Sequence, residues 1–263
     1  MIGIGYPGLV VSTTNFSAGS WLAGLPLTNL RNLDLAKVAR STDATSANTK
    51  FTADHGSAKT ARALCLVGTN LSSAATIRWK RGTSSGGSEV SDSGALNAWV
   101  ITPLVYNGKR HNMIIVMSSA NSARYDTIEI VDTSNSDGYV EIGFCWISDL
   151  FVPAINASYG LKDQLIDHGS IERSESGAVW ATTRRKFKST SFVLEWLTQT
   201  EADTLHELER VAGTTDPIIY IPDLTDRAMQ QRYGGMGLLG ELSAIDYPFV
   251  NNRSLPLKWV EYA

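Results

Sequence analysis

Residue types that could carry out hydrolysis occur in the sequence, but none lies in the local context that a catalytic motif requires. A hydrolytic triad needs a Ser or Cys nucleophile, a His and a carboxylate, and no serine lies in the strand-turn-helix context of a nucleophile elbow. The best local candidate is the run Asp54-His55-Gly56, which follows an alternating strand pattern. Asp and Gly are ordinary turn residues. We therefore interpret this segment as a turn and predict that the protein is not an enzyme.

Several carboxylates could in principle hydrolyse a glycoside or hold a metal ion. The acidic residues near predicted strands are Glu129, Asp132, Asp137 and Glu141. Strand neighbours can bring two carboxylates within reacting distance, but acidic residues at strand ends are common and no pair is singled out. The loop 132–138, with Asn135, lacks the Glu that closes a helix-loop-helix calcium site, which leaves open a looser calcium site at a sheet edge. The two cysteines and four histidines show no ligand spacing, so we predict no catalytic residue, no metal and no cofactor.

Aromatic residues beside hydrogen-bonding side chains suggest a sugar-binding surface. Most of the tryptophans and tyrosines are expected to fill the core, because each carries a large apolar area. Trp99 and Tyr106 are different, since they flank a predicted loop that also carries Asn107 and Arg110. The sequence therefore predicts a glycan-binding site formed by these four residues.

A glycine-rich run near the C-terminus invites comparison with phosphate-binding loops. It contains Gly234, Gly235, Met236, Gly237 and Gly240. Neither the dinucleotide-binding spacing nor a following Lys-Ser or Lys-Thr is present, so a phosphate cradle is excluded. Glycines let a backbone reshape and pass close to a neighbouring chain, and we predict that Gly234 to Gly237 form a mobile loop that contacts assembly partners.

Composition and charge narrow the classes of partner. The chain has 263 residues and a formal net charge of -3, which argues against nucleic-acid binding because phosphate contacts need a basic surface. No run of about 18 apolar residues and no signal sequence is visible, so we expect cytoplasmic synthesis and no membrane insertion. Cys65 and Cys145 lie in apolar runs, and buried thiols are favoured there over a disulfide.

The hydrophobic periodicity predicts a mainly β protein of two domains, 1–152 and 153–263. At least seven short strands precede residue 150, among them 49–54 and 61–67, which indicates an antiparallel jelly-roll β-sandwich. The second part predicts a hairpin turning near Ser176-Gly177 and an α+β domain with a small sheet. Its one main helix is predicted to start at an N-cap Thr200 and to stop at Gly213, with a buried face. That face is predicted to consist of Ala202, Leu205, Leu208 and Val211.

Several segments resemble a known family. They are Leu25-Pro26-Leu27-Thr28-Asn29-Leu30, Lys37-Val38-Ala39-Arg40-Ser41-Thr42, Thr49 to Gly56, Ala63 to Ser72 with Ala75-Thr76-Ile77-Arg78, and Tyr125 to Ile130 leading to Tyr139 to Gly143. Together they resemble a discoidin-like, galactose-binding-like jelly roll. The amino-acid sequences of these segments are similar to those of structural proteins of tailed bacteriophages. The second predicted domain resembles the sheet-plus-helix module of distal tail proteins.

The resemblance implies a structural component of a phage tail tip or baseplate. Such a protein would be assembled in the host cytoplasm, would lie at the tail tip of the virion and would form a homo-oligomeric ring around the tail axis. Its partners would be tube, hub, fibre or receptor-binding proteins, and its first domain would contact host surface glycan or a neighbouring tail protein. The alternative is a soluble carbohydrate-binding module, and the sequence does not give the ring order.

Overall fold

The computed structural model describes residues 1–101, 110–249 and 252–262. Their contacts define two compact units, one formed by 1–152 with 218–236 and the other by 153–217 with 237–263. The division into domains at residue 152 stays a prediction, and the first compact unit also takes in residues 218–236, which the sequence placed in the second domain. Among the described residues, no helix is long and apolar enough to cross a membrane.

Strands dominate both units. The first part of the chain forms β1 (Gly3–Gly5), β2 (Asn15–Ser17), a 3₁₀ helix (Leu27–Arg31), β3 (Ala39–Arg40), β4 (Phe51–Thr69), β5 (Thr76–Gly82), β6 (Ser91–Asp92), β7 (Leu96–Asn97), β8 (His111–Val131), β9 (Glu141–Ile142) and β10 (Phe144–Ser148). The remainder forms β11 (Lys162–Asp167), β12 (Ser170–Arg173), β13 (Val179–Thr182), β14 (Lys186–Leu197), α1 (Gln199–Ala212), β15 (Ile218–Ile221), α2 (Arg227–Tyr233), β16 (Gly235–Leu239), β17 (Asp246–Phe249) and β18 (Asn252–Glu261). The prediction of a mainly β fold with antiparallel sheets is confirmed.

The main sheet of the first unit is built on two very long strands. Its order is β10-β4-β8-β5-β6, with β2 added to β4 and β7 added to β5. The segments 49–54 and 61–67, predicted as separate strands, belong almost entirely to β4, which continues through a register shift between Asp54 and Lys59. Gly56 lies in this bulge at a φ of +75°. The predicted turn at Asp54 to Gly56 is therefore wrong, because the glycine permits a bulge without ending the strand.

The core of the first unit fills one face of this sheet. Trp79, Phe51 and Ile128 are fully buried there. Cys65 and Cys145 lie on the adjacent strands β4 and β10 and are both thiols. Cys145 pairs with Leu66, so the two cysteines are offset by one residue. Since successive side chains in a strand point to opposite faces, the thiols point away from each other, as buried residues without a disulfide.

The second unit is a sheet with one packed helix and a separate hairpin. Strand β14 pairs with β11 and β18, and β18 also pairs with β16 and β17. Strands β12 and β13 form the predicted hairpin, whose turn is closed by a hydrogen bond from Gly177 N to Ser174 O of 2.9 Å. The α+β prediction for this part agrees with these elements.

Helix α1 begins two residues earlier than the sequence predicts. Thr198 is the N-cap instead of Thr200: its hydroxyl accepts from Glu201 N at 3.3 Å, and the Glu201 carboxylate accepts from Thr198 N at 2.9 Å. This reciprocal capping box satisfies two backbone donors at once. The helix stops at Gly213, as predicted. Its buried hydrophobic residues are Ala202, Leu205, Leu208 and Ala212, whereas Val211 is exposed.

The glycine-rich segment is not the predicted loop. Helix α2 precedes it, capped by Asp226, and Gly235 to Leu239 form the strand β16. Gly234, Gly235, Met236 and Gly237 are all buried within their own chain. A Cβ at Gly237 would collide with the indole of Trp259 and with Val260 O. Glycine is therefore used here for close packing of strand against side chain.

Candidate functional site

The structure describes two of the four residues predicted to bind glycan. Trp99 and Arg110 are described, whereas Tyr106 and Asn107 lie outside the described residues. Both described residues lie at the end of the main sheet where β4 finishes and β8 begins. At this end Thr69 of β4 pairs with His111 of β8, the residue after Arg110.

Trp99 is held by its own chain. Its ring packs on the imidazole of His111, with ring centroids 3.9 Å apart, and its Nε1 donates to Leu71 O at 2.8 Å. The ring is half-buried against the core cluster. Burial lowers the pKa of His111 to about 4, so His111 is neutral at pH 7. Most of the surface of Trp99 thus serves packing, and its indole N–H is already used.

Arg110 belongs to a cluster that the sequence did not predict. Its Nη2 donates to Glu141 Oε2 at 2.6 Å. Arg40 donates to the other oxygen, Oε1, from Nε at 2.7 Å and also from Nη2. The guanidinium of Arg40 stacks over the ring of Tyr139, 4.2 Å from its centroid. We call Arg40, Arg110, Tyr139 and Glu141 the arginine cluster.

Strand pairing explains why the arginine cluster forms. Arg40 in β3 is directly opposite Glu141 in β9, and opposite charges in this position attract across a sheet. The backbone of Glu141 is fixed as well, because its N–H donates to Asn70 Oδ1 at 2.7 Å. The hydrogen bonds from Arg40 to Glu141 raise the pKa of Arg40. The cluster is therefore charged and anchored at ordinary pH.

Burial divides the cluster into an anchor and two exposed donors. The Glu141 side chain is 7% exposed, whereas those of Arg40 and Arg110 are 32% and 40% exposed. A guanidinium has five N–H donors, and the bonds to Glu141 use two of those on Arg40 and one of those on Arg110. The remaining donors are held in place at the surface, where they can bind hydroxyl or carboxylate oxygens of a ligand.

The carboxylates of the loop 132–138, where the sequence leaves a looser calcium site open, are occupied by hydrogen bonds. Asp132 accepts from the backbone N–H of Ser72 at 2.9 Å, from the Ser72 hydroxyl and from Asn135 Nδ2 at 2.8 Å. Asp137 accepts from Asn70 Nδ2 at 3.1 Å. In the described part of the chain, no group of three or more His, Cys, Asp or Glu side chains could hold a metal ion. These carboxylates therefore fasten the loop to the segment around Asn70 and Ser72.

A second arginine–carboxylate group lies inside the first unit. Asp126 is fully buried and accepts from Trp79 Nε1 and Arg81 Nε, each at 2.8 Å, and lies 2.8 Å from His55 Nε2. Arg81 is also fully buried and donates further to backbone carbonyls, including that of Lys59 at 2.8 Å. We call these residues the buried network. The candidate catalytic His55 is therefore sealed from solvent, with 1% of its side chain exposed.

The residues that the sequence analysis missed are Arg40 and Tyr139, together with the anchoring role of Glu141. Glu141 lies between Val140 and Ile142, both fully buried. A charged residue within a buried strand needs a partner, and this was the available signal. The identity of the partners was not readable, because Arg40 lies 101 residues away along the chain.

No protein-family model matches the chain, and no curated protein sequence matches it. Solved structures resemble part of it. One is CBM32-1 from a family 31 glycoside hydrolase of Clostridium perfringens, at 13% identity and a TM-score of 0.38, covering 53% of this chain and 96% of that one. Another is the lectin domain of lectinolysin complexed with Lewis B antigen, at 13% identity and a TM-score of 0.40, covering 55% and 98%.

A third resembling structure is the family 32 CBM of C. perfringens NanJ in complex with galactose. It has 10% identity and a TM-score of 0.38, and covers 55% of this chain and 98% of that one. These structures are discoidin-like, galactose-binding-like modules, and none of the three named is a phage tail protein. At these identities and scores the likeness concerns fold alone.

Proposed function

We propose that the first unit binds carbohydrate through the arginine cluster. The observation that carries this proposal is the pair of half-exposed guanidinium groups, Arg40 and Arg110, held on the single buried carboxylate of Glu141. An anchored guanidinium loses little conformational freedom when a ligand binds, so more of its hydrogen-bond energy appears as affinity. Tyr139 adds an aromatic ring beside these donors, the combination of apolar surface and polar groups that ligand sites use.

The charges of the cluster favour an acidic sugar over a neutral one. Two arginines share one carboxylate within the cluster, and guanidinium binds carboxylates through paired hydrogen bonds. Asp137 lies close enough to raise the pKa of Arg40 and offsets part of this charge. We therefore expect a uronic or sialic acid to bind more tightly than a neutral hexose. Direct contacts from Trp99, Tyr106 and Asn107 remain part of the proposal as predicted contributors.

The test is a calorimetric titration of the whole chain with acidic and neutral oligosaccharides. Arg110→Ala and Arg40→Ala are each expected to weaken binding about tenfold or more, because each removes hydrogen bonds made by a charged group. Arg124→Ala is a matched control. Arg124 pairs with Asp54 at 2.7 Å and stacks 4.9 Å from the Tyr125 centroid, which reproduces the chemistry of the cluster with only one arginine.

Two results would overturn the proposal. The first is absence of saturable binding by the unaltered chain to any acidic or neutral glycan in the panel. The second is glycan binding that Arg40→Ala and Arg110→Ala leave within twofold of the unaltered chain, or that Arg124→Ala weakens equally. A selective loss in the two cluster variants would support it.

A second candidate function is structural, as a subunit of a phage tail tip or baseplate in the virion. The observation that favours an assembly role is the set of exposed apolar side chains on the hairpin of the second unit. These are Ile171, Val179 and Trp180, at 70%, 55% and 59% exposure. Association into a discrete oligomer, measured by light scattering over a concentration series, is the expected result. Proteins of the tube, hub or fibre would be the partners, and they would meet exposed surfaces such as the hairpin and not Gly234 to Gly237, which are buried within their own chain.

A further inference from the structure

The hairpin of the second unit has no core on either face. Strands β12 and β13 pair with each other in a two-stranded sheet, and all eight of their residues are exposed. Ile171 and Val179 lie on one face of the hairpin, and Trp180 lies on the other. An isolated two-stranded ribbon is marginal in water, and three or more strands are needed for independent stability. Pairing with a further strand would therefore stabilise this hairpin.

The two outer edges of the hairpin differ in charge. Strand β12 carries Glu172 and Arg173, whereas β13 and the one residue at each of its ends, residues 178–183, contain no charged residue. Natural proteins protect exposed edge strands with charged side chains or prolines, because an open edge pairs with other chains. The sequence Val179-Trp180-Ala181-Thr182 has high strand propensity and no such protection. The open edge of β13 is thus the side suited to pairing.

We propose that β13 pairs antiparallel with β13 of a second copy of this chain, which gives a four-stranded sheet across a two-fold axis. This inference rests on the assembly role of the second candidate function, and it adds a contact different from the predicted ring, because a two-fold contact closes at two copies whereas a ring needs head-to-tail contacts. A two-fold axis between identical antiparallel strands sets one residue opposite its own copy, and Trp180 and Ala181 lie at the middle of β13. Such an isologous dimer is the commonest symmetric assembly.

The charges that flank β13 select a second copy and its direction. Glu175 precedes the strand, and Arg184 and Arg185 follow it. Among the residues that the structure describes, none of these three forms an ion pair. An antiparallel partner places its basic end beside the acidic end of the first copy, twice in each dimer, whereas a parallel partner would place like charges together. In the proposed arrangement, the acidic residue before β13 in one copy therefore lies beside the basic residues after β13 in the other copy.

Sedimentation equilibrium of the full chain tests the interface. We expect a dimer whose dissociation constant rises about tenfold with Glu175→Lys and with the double change Arg184→Glu, Arg185→Glu, because each reverses the charge of both flanking contacts. All three changes in one chain should restore dimerisation to near the original affinity, since the charges are complementary again. Ala181→Lys should weaken it further than either, because it brings two cations to the centre of the pairing. Glu241→Lys, the same charge change at an exposed residue elsewhere in the second unit, is the control.

The outcomes separate the interface from the function on which it rests. A dimer that Glu175→Lys and Ala181→Lys leave unchanged would overturn pairing through β13 while an assembly role by another surface survives. An unaltered chain that stays monomeric at the highest concentration reached would overturn both self-association and the β13 interface. If the triple variant binds no better than the single ones, the antiparallel arrangement is wrong.

Discussion

The buried network and the arginine cluster use the same chemistry in one unit at opposite extremes of exposure. In the buried network, the Arg81 and Asp126 side chains are both 0% exposed. In the arginine cluster, only the carboxylate of Glu141 is buried, and its two arginines reach the surface. The N–H groups of Arg81 donate hydrogen bonds to Asp126, to carbonyl groups of β4 and to the carbonyl group of Asn121 in β8. Arg40 and Arg110 each keep N–H donors that are not bonded to Glu141.

The difference shows how burial separates a structural group from a binding group. Removing a charge from water costs several kcal/mol, so a buried ion pair persists only when nearly every donor and acceptor has a partner. A fully satisfied arginine has nothing left with which to bind a ligand. A half-exposed arginine on a buried anchor is held in place at small cost and retains free donors. The same contrast can be measured by substitution.

The largest expected effect is the loss of Arg81. Arg81→Met should lower the free energy of unfolding by about 3–5 kcal/mol, because it leaves Asp126 as an uncompensated buried charge. Arg40→Met should cost no more than about 1 kcal/mol, since its partner keeps Arg110 and the site is open to water. Urea denaturation of both variants at pH 7 provides the comparison. Equal losses would show that burial does not separate the two groups.

A matched double change sharpens this comparison. Asp126→Leu added to Arg81→Met removes the orphaned charge and should recover part of the lost stability, because an apolar pair of similar size can replace a buried ion pair. If the double variant is less stable than the single one, the hydrogen bonds that Asp126 makes with Trp79 and His55 contribute more to stability than its ion pair with Arg81.

Acidification should weaken the end of the sheet that carries the arginine cluster. The pKa of His111 falls to about 4 in the folded chain because of burial, from an ordinary value of 6.5. Between these values the unfolded chain binds more protons than the folded one, so stability is lost as the pH falls from about 6.5 to 4. The loss is up to about 3 kcal/mol. Urea denaturation across this range, compared with His111→Gln, is the measurement, and the variant should lose less stability; parallel curves would contradict the role of His111.

A small effect on stability, similar to that of Arg40→Met, is expected at the anchor of the cluster. Glu141→Gln should change the free energy of unfolding by about 1 kcal/mol, because both arginines can turn to water when the carboxylate charge is removed. Glycan affinity should nevertheless fall, since the guanidinium groups lose the group that orients them. Glu129→Gln, at a carboxylate paired with Lys80 in the same unit, is the control in the same calorimetric titration. A fall in stability as large as that of Arg81→Met would show that the arginine cluster, like the buried network, is a structural group.

Local patterns predicted much of the secondary structure, and the errors have particular causes. The hairpin around Gly177 and the stop of α1 at Gly213 follow from glycine in turns and helix ends. Threonine caps helices well, so Thr200 is a plausible N-cap, but only Thr198 has a Glu three residues later for the reciprocal bond. The strand β16 could not be inferred, because its Gly237 is required by Trp259, far away along the chain.

The sequence by itself determined the mainly β fold and the position of the main helix. Alternating apolar residues, capping residues and glycines act within a few positions of the chain, so they can be read directly. Only the tertiary structure decided that Arg40 meets Glu141 and that Arg81 meets Asp126. Strand pairing joins residues that are 101 and 45 positions apart, and it alone sets which arginine is sealed in the core and which reaches solvent.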